Sequence, residues 1–260
     1  MERSIRPVRI IPCLDIKEGR AVKGVQFVNI IGETRDPVEA ARTYCAQGAD
    51  ELVFRDITAT AERRATRLDW VKKVKEAASV PLTVGGGIKS LEDMESLFTL
   101  DVDKVFISTM AVVRPDLVKQ AVQRFGSEKI IAAIDAIIKQ ETADTPQYEV
   151  VIRDGNEETG LEPVEWAQVV AGFGVGELIL TCKDRDGTRQ GYELPLIKSV
   201  TGAVDIPVIA AGGAGGPEDF YLAVGEGGAD AVMAVSVFHF NICTAEQIKA
   251  YLRQRGVPVL

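Results

Sequence analysis

Two aspartates, Asp15 and Asp135, each close a short apolar run, Ile10–Leu14 and Ile130–Ile134. A carboxyl group at a strand end can take or give a proton, and two such groups aimed at one bound molecule suit an acid/base pair. A lone aspartate after a strand is more often a loop cap, but both stand at matching points of an internal repeat. Glycines form a second pair of signals. Gly85-Gly86-Gly87 precedes a strand ending at Ser108-Thr109, and Gly212-Gly213-Ala214-Gly215-Gly216 precedes one ending at Val235-Ser236. Glycines admit backbone N–H groups close to an anion, and hydroxyls add donors. One such run is usually a tight turn. Two, at repeat-related positions and each paired with a hydroxyl-bearing strand end, predict a substrate with a phosphate at each end. Asp184-Arg185-Asp186-Gly187-Thr188 can hold substrate hydroxyls or a phosphate, or can be a plain Asp-Gly turn.

The elements that must position these groups alternate. Apolar runs at Arg9–Leu14, Glu51–Arg55, Pro81–Val84, Lys104–Ile107, Lys129–Ile134, Glu177–Thr181, Pro207–Ala210 and Ala231–Val235 are short and rich in Val, Ile and Leu. They do not alternate with polar residues, which is the pattern of parallel strands buried on both faces. Helical patterns follow at Pro37–Gln47, Arg67–Ala78, Leu91–Leu100, Pro115–Arg124, Pro163–Val170, Leu194–Thr201, Pro217–Val224 and Ala245–Arg255. Several open with proline, the residue preorganised for a first helical turn. This succession in 260 residues predicts an α/β fold, a single (β/α)₈ TIM barrel domain over 1–260. A doubly wound sheet is the weaker alternative, because no GxGxxG follows the first strand. Matching landmarks at nearly one separation, such as Glu51-Leu52-Val53-Phe54 with Glu177-Leu178-Ile179-Leu180, predict two homologous half-barrels, about 9–125 and 126–256. The polar stretch Ile137–Leu161 breaks the rhythm and is read as a β-hairpin over the barrel mouth.

Composition narrows the function. The net charge is −8, with 46% hydrophobic and 26% charged residues, so the chain is globular. Acidic balance speaks against a nucleic-acid partner. Four cysteines (13, 45, 182, 243) lack CxxC spacing and read as buried free thiols. The single histidine, His239, is read as structural; a hydrolytic zinc site or Ser-His-Asp triad is not expected, nor is any metal or cofactor. Trp70 and Trp166 are read as packing residues. The N-terminal stretch carries charges throughout, unlike a signal peptide, and Ala231–Phe240 is too short for a membrane span. A soluble, cytoplasmic protein is expected.

Together the motifs resemble the cyclase-subunit family of imidazole glycerol phosphate synthases, of histidine biosynthesis, from about Arg9 to Gly256. The resemblance is carried by Ile11–Asp15 with Gly19-Arg20 and Val22-Lys23-Gly24, Asp50–Phe54 with Asp56–Ala59, Thr83–Ile88, Ala133–Ala136, Asp184–Thr188, Ala211–Gly215 and Ser236–Phe240. It implies that ammonia attacks a bisphosphorylated formimino-aminoimidazole carboxamide ribonucleotide, giving imidazole glycerol phosphate and an aminoimidazole carboxamide ribonucleotide. Asp15 and Asp135 would be the acid/base pair. Lys23, Gly86, Gly87, Ser108, Thr109, Thr181, Asp186, Gly187, Gly212, Gly213, Val235 and Ser236 would bind substrate and phosphate. Ammonia would come from a glutaminase subunit, docked as a heterodimer near Asp103 at the N-terminal face, through a gate of Arg9, Glu51, Lys104 and Glu177. Those four charges could equally form a structural salt-bridged ring.

The chain departs from the family pattern at the mouth. Its first loop reads Asn29 to Pro37 in place of an Arg-Asp-x-Gly-Asp-Pro run. Ser108 stands for an asparagine, Phe106 for a serine, Ile137-Ile138 for a basic pair, and Arg55 for an uncharged residue. The sister isomerase of the pathway, an ammonia-using homologue with another phosphorylated or nucleotide-sugar acceptor, and a catalytically silent partner-binding barrel are the competing readings.

Overall fold

The computed structural model describes residues 7–25, 29–30, 34–140 and 146–260, with only the backbone for 29–30. The barrel strands are β1 Arg9–Lys17, β2 Leu52–Asp56, β3 Leu82–Gly85, β4 Lys104–Ile107, β5 Ile130–Gln140, β6 Glu177–Cys182, β7 Val208–Ala211 and β8 Ala231–Ala234. Each pairs in parallel with its sequence neighbours, and β8 pairs with β1 (Arg9 opposite Ala231), so the barrel is closed. Outside it lie α1 Pro37–Ala46, α2 Leu68–Ala77, α3 Leu91–Phe98, α4 Pro115–Phe125, α5 Pro163–Gly172, α6 Leu194–Ala203, α7 Pro217–Gly225 and α8 Ala245–Gln254. The (β/α)₈ expectation holds, with most boundaries shifted by a residue or two.

Alternate strand residues divide the core in two. Ile11, Cys13, Val53, Phe106, Ile131, Ile179 and Met233 pack inside the barrel, while Ile10, Leu14, Leu52, Phe54, Ile130 and Leu180 pack outward beneath the helices. That is why the strands read as continuous apolar runs: both faces lose water. Helix starts are chemically marked. Asp36 Oδ1 accepts from Val38 and Glu39 N–H ahead of Pro37, and Thr244 and Gln247 form a capping box at α8.

The lower rim repeats one device. Asp50 accepts the Ile10 N–H, Asp103 that of Leu82, and Asp230 that of Val208, each carboxylate locking the strand before its own. In the corresponding place before β6 stands Gly176, where a Cβ would lie 2.5 Å from Ser127 O.

The predicted hairpin forms. β5 runs well past Ile134 and turns into an antiparallel strand, Gln147–Ile152, with a short third strand at Glu157–Glu158. Arg20–Val22 also folds back on β1, setting Val22 opposite Asp15. Of the first loop, Asn29–Ile30 pairs with Gly24–Val25, while 31–33 lie outside the described residues. Cys13, Cys182 and Cys243 are buried as expected; Cys45, on α1, is only half-buried, a correction. His239 is buried edge-on to Phe240, Trp166 is buried against Phe173, and half-buried Trp70 lies under the Arg67 guanidinium. Among the described residues no helix is long and apolar enough to cross a membrane.

Candidate active site

Asp15 and Asp135 both reach the C-terminal mouth of the barrel and line one cavity of about 320 Å³. Their surroundings differ. Asp15 is 2% exposed and is held by Arg55 on the neighbouring strand, Nε to Oδ1 at 2.7 Å and Nη2 to Oδ2 at 2.9 Å. Such a two-pronged contact is the strongest carboxylate–guanidinium geometry. Lys23 Nζ adds a second cation 3.8 Å away. Burial alone would raise the Asp15 carboxyl, but Arg55 and Lys23 outweigh it and hold its pKa below the usual carboxylate range. Asp135 has neutral partners instead: Ser108 Oγ donates to Oδ2 at 3.1 Å, and the Thr181 hydroxyl is a second hydrogen-bond partner. Here burial outweighs the nearby Arg55 charge and both hydroxyls, and the pKa rises. The mouth therefore presents one carboxyl group whose pKa is lowered by its cations and one whose pKa is raised by burial.

The glycine turns flank this pair. Gly86, Gly87, Ser108 and Thr109 line the main cavity. Gly187, Gly212, Gly213, Val235 and Ser236 line a smaller recess that shares Arg55, Thr181 and Asp186 with it. Gly86 and Gly213 have φ of +94° and +114°, and a Cβ at either would lie 2.2 or 2.1 Å from the backbone oxygens of Asp56 or Gly191. Backbone packing thus requires glycine there independently of any ligand. Gly215 and Gly216, in the same run, spend their N–H groups on Asp219. Lys23, expected at the substrate, is 1% exposed and bonds Asp186 at 3.0 and 3.1 Å, so it supports the cavity wall without lining it.

Three features were not foreseen. Arg55 and Phe106 stand in the sequence only as departures from the family pattern; the ion pair of Arg55 with Asp15 follows from the strand register, which sets them side by side. The hairpin delivers Asp154, whose carboxyl lines the cavity and is pushed up to about 6 by burial and by Asp135. Phe106 fills the lumen beneath the mouth. A Cβ on Gly85 would lie 2.2 Å from its ring, so the glycine makes room for the phenyl group.

At the opposite end of the lumen, Arg9 bonds Glu51 (2.5 Å) and Glu177 (2.6 Å), and Lys104 bonds the same two carboxylates at 3.3 and 2.7 Å. The four charges expected from the sequence form a closed ring. Burial would raise Glu177, but Arg9 and Lys104 outweigh it and lower its pKa. Asp103 lies on the same face, where it accepts from Lys75 at 2.6 Å as well as from Leu82 N–H.

A closed (β/α)₈ barrel with two unlike carboxyl groups in a cavity at the C-terminal strand ends defines an enzyme-type barrel. Residues 9–244 match the family model described as histidine biosynthesis protein. The chain belongs to that family of TIM-barrel enzymes, which includes both cyclase-type and isomerase-type members.

Proposed function

We propose that the chain is the ammonia-using cyclase of this family, converting a bisphosphorylated formimino-aminoimidazole carboxamide ribonucleotide to imidazole glycerol phosphate and the aminoimidazole carboxamide ribonucleotide. The observation that carries the reading is the placing of Asp15 and Asp135 in one cavity flanked by two glycine turns, with the pKa of the first lowered by Arg55 and Lys23 and that of the second raised by burial. The phosphates occupy the turns at β3/β4 and β7/β8. Asp135 gives a proton to the leaving nitrogen on C–N cleavage. Asp15, ionised, takes the proton lost on ring closure, and Arg55 and Lys23 keep it ready to do so.

The ring of Arg9, Glu51, Lys104 and Glu177 favours the cyclase over the isomerase, since only the cyclase needs ammonia. Beside it, the Thr83 Oγ1 is buried without a hydrogen-bond partner among the described residues. It offers a polar contact to a molecule the size of ammonia. A glutaminase subunit would dock on this face, near Asp103, in the cytoplasm. A second reading, an ammonia-using barrel with another phosphorylated acceptor, is favoured by the Arg55–Asp15 pair and by the Ser108 hydroxyl turned toward Asp135.

The test is to incubate the purified chain with ammonium salt and the bisphosphorylated formimino substrate, without a partner, and follow the imidazole product. Turnover is expected. Substrate isomerisation without ammonia consumption would sink the cyclase and support the isomerase. With a glutaminase added, Lys104→Ala should lower glutamine-driven turnover more than ammonia-driven turnover. Equal loss in both would reduce the ring to a structural role.

A further inference from the structure

Every second residue along β4 and just beyond it faces inward: Lys104, Phe106 and Ser108. Lys104 belongs to the salt-bridged ring and Ser108 donates to Asp135, so Phe106 stands between the two polar layers. Around it, Ile11, Val53, Ile131, Ile179 and Met233 complete an apolar stratum, in which it is the one aromatic residue among those described. It is 8% exposed and borders the mouth cavity from below. Register sets Thr83 of β3 beside Lys104, and Gly85 beside Phe106. The bare face of Gly85 takes the phenyl ring, which a Cβ there would meet at 2.2 Å. Below that contact the Thr83 hydroxyl is buried with no hydrogen-bond partner among the described residues. A polar compartment at the lower rim is thus cut off from the polar mouth by one phenyl group and its aliphatic neighbours.

We infer that Phe106 is the shutter that sets the route by which ammonia reaches Asp15 and Asp135. Seated on Gly85, its ring closes the lumen, and ammonia released at the lower face crosses only when the phenyl group moves off that seat. Free ammonia enters through the open mouth and meets no such barrier. The inference rests on the reading of this chain as an ammonia-using cyclase. The stratum also selects the species that crosses. An ammonium ion would have to shed its hydration among aliphatic side chains with no anion to meet it, whereas the neutral molecule gives up only hydrogen bonds. The unpartnered Thr83 hydroxyl holds that neutral molecule below the closed ring. The phenyl group has no polar atom, so its displacement is opposed by packing alone.

Two measurements on the full chain test this. The first needs no turnover. A cysteine placed by Thr83→Cys is treated with methyl methanethiosulfonate, a small uncharged thiol reagent, and labelling is read peptide by peptide. It should react slowly while Phe106 is present, and roughly tenfold faster or more with Phe106→Ala added, through the void the ring leaves. The buried Cys243, outside the lumen, reports any general opening of the fold; if it too becomes reactive, Phe106→Val takes the place of Phe106→Ala. Equal labelling at position 83 with and without the ring would overturn the shutter and leave the cyclase reading standing. The second measurement adds a glutaminase and compares glutamine-driven with ammonia-driven turnover. Phe106→Ser should raise that ratio by about two- to tenfold, the cost of holding a side chain off its packed rotamer. An unchanged ratio would overturn the part of Phe106 in delivery. No imidazole product from parent or variant would sink the cyclase reading and the delivery role together, while the labelling still decides whether Phe106 closes the lumen.

Discussion

The barrel lumen holds charge at two depths, and the two layers are built in opposite ways. At the bottom, Arg9 and Lys104 each bond both Glu51 and Glu177, so two cations meet two anions and nothing is left over. At the mouth, Arg55 and Lys23 crowd around Asp15 and Asp186, while at Asp135 and Asp154 burial outweighs the charge of Arg55 nearby. Burial is comparable in both layers; what differs is whether each charge is answered. In the answered ring the cations outweigh burial and lower the pKa of Glu177. A carboxyl group left to burial has its proton affinity raised, and that is where proton transfer becomes possible.

The largest expected effect breaks the mouth itself. Asp135→Asn and Asp15→Asn should each lower kcat by about 10²–10⁴-fold with little change in KM, because shape is kept and proton transfer is lost. Thermal unfolding should then separate them. Asp15→Asn strips Arg55 and Lys23 of their shared anion and should cost about 3–5 kcal/mol. Asp135→Asn, which removes no ion pair, should cost far less. Equal destabilisation by the two would erase the distinction between answered and unanswered carboxyls.

Next in size is Arg55→Leu. Without its guanidinium, Asp15 should move up by roughly 1–3 pH units, carrying the acid limb of the kcat/KM profile to higher pH. The linkage has a definite sign. A carboxyl depressed on folding stabilises above its unfolded pKa, and that stability disappears as pH falls through the folded value. The variant should therefore be less stable than the parent at neutral pH and converge with it in acid. A constant stability gap down through the carboxylate range would mean that Arg55 acts by packing alone.

The smallest effect lies between the layers. Gly85→Ala should destabilise by about 1–3 kcal/mol through overpacking against Phe106, and Phe106→Ser should relieve most of it in the double variant. Additive losses would show that Gly85 is needed for its backbone and not for the ring.

Much of this was legible in the residues. Strands buried on both faces announce themselves as unbroken Val, Ile and Leu runs, and helix starts such as Asp36-Pro37 carry their own caps. Asp15, Asp135 and the glycine turns were legible because each occurs twice at matching points. The rest depends on through-space neighbours. That Arg55 clasps Asp15 is a matter of register between β1 and β2. Asp154 reaches the cavity only because three left-handed residues turn the hairpin inward, and nothing in Arg-Asp-Gly distinguishes that from an ordinary surface turn. Lys23 looked like a ligand-binding lysine, but the wall formed with Asp186 buries it.

The contact between Phe106 and the bare face of Gly85 also constrains the order in which this barrel could be altered by mutation. A side chain at position 85 is tolerable only once the phenyl ring has gone, so the reverse order passes through a clashing intermediate. The two sites form a latch with one direction of release: a smaller residue at 106 opens the way for change at 85, and any residue then fixed at 85 bars the ring from returning. Descendants of this chain that lose the phenylalanine should therefore diverge at both positions, and a graft of Phe106 into such a descendant should fail unless glycine is restored first.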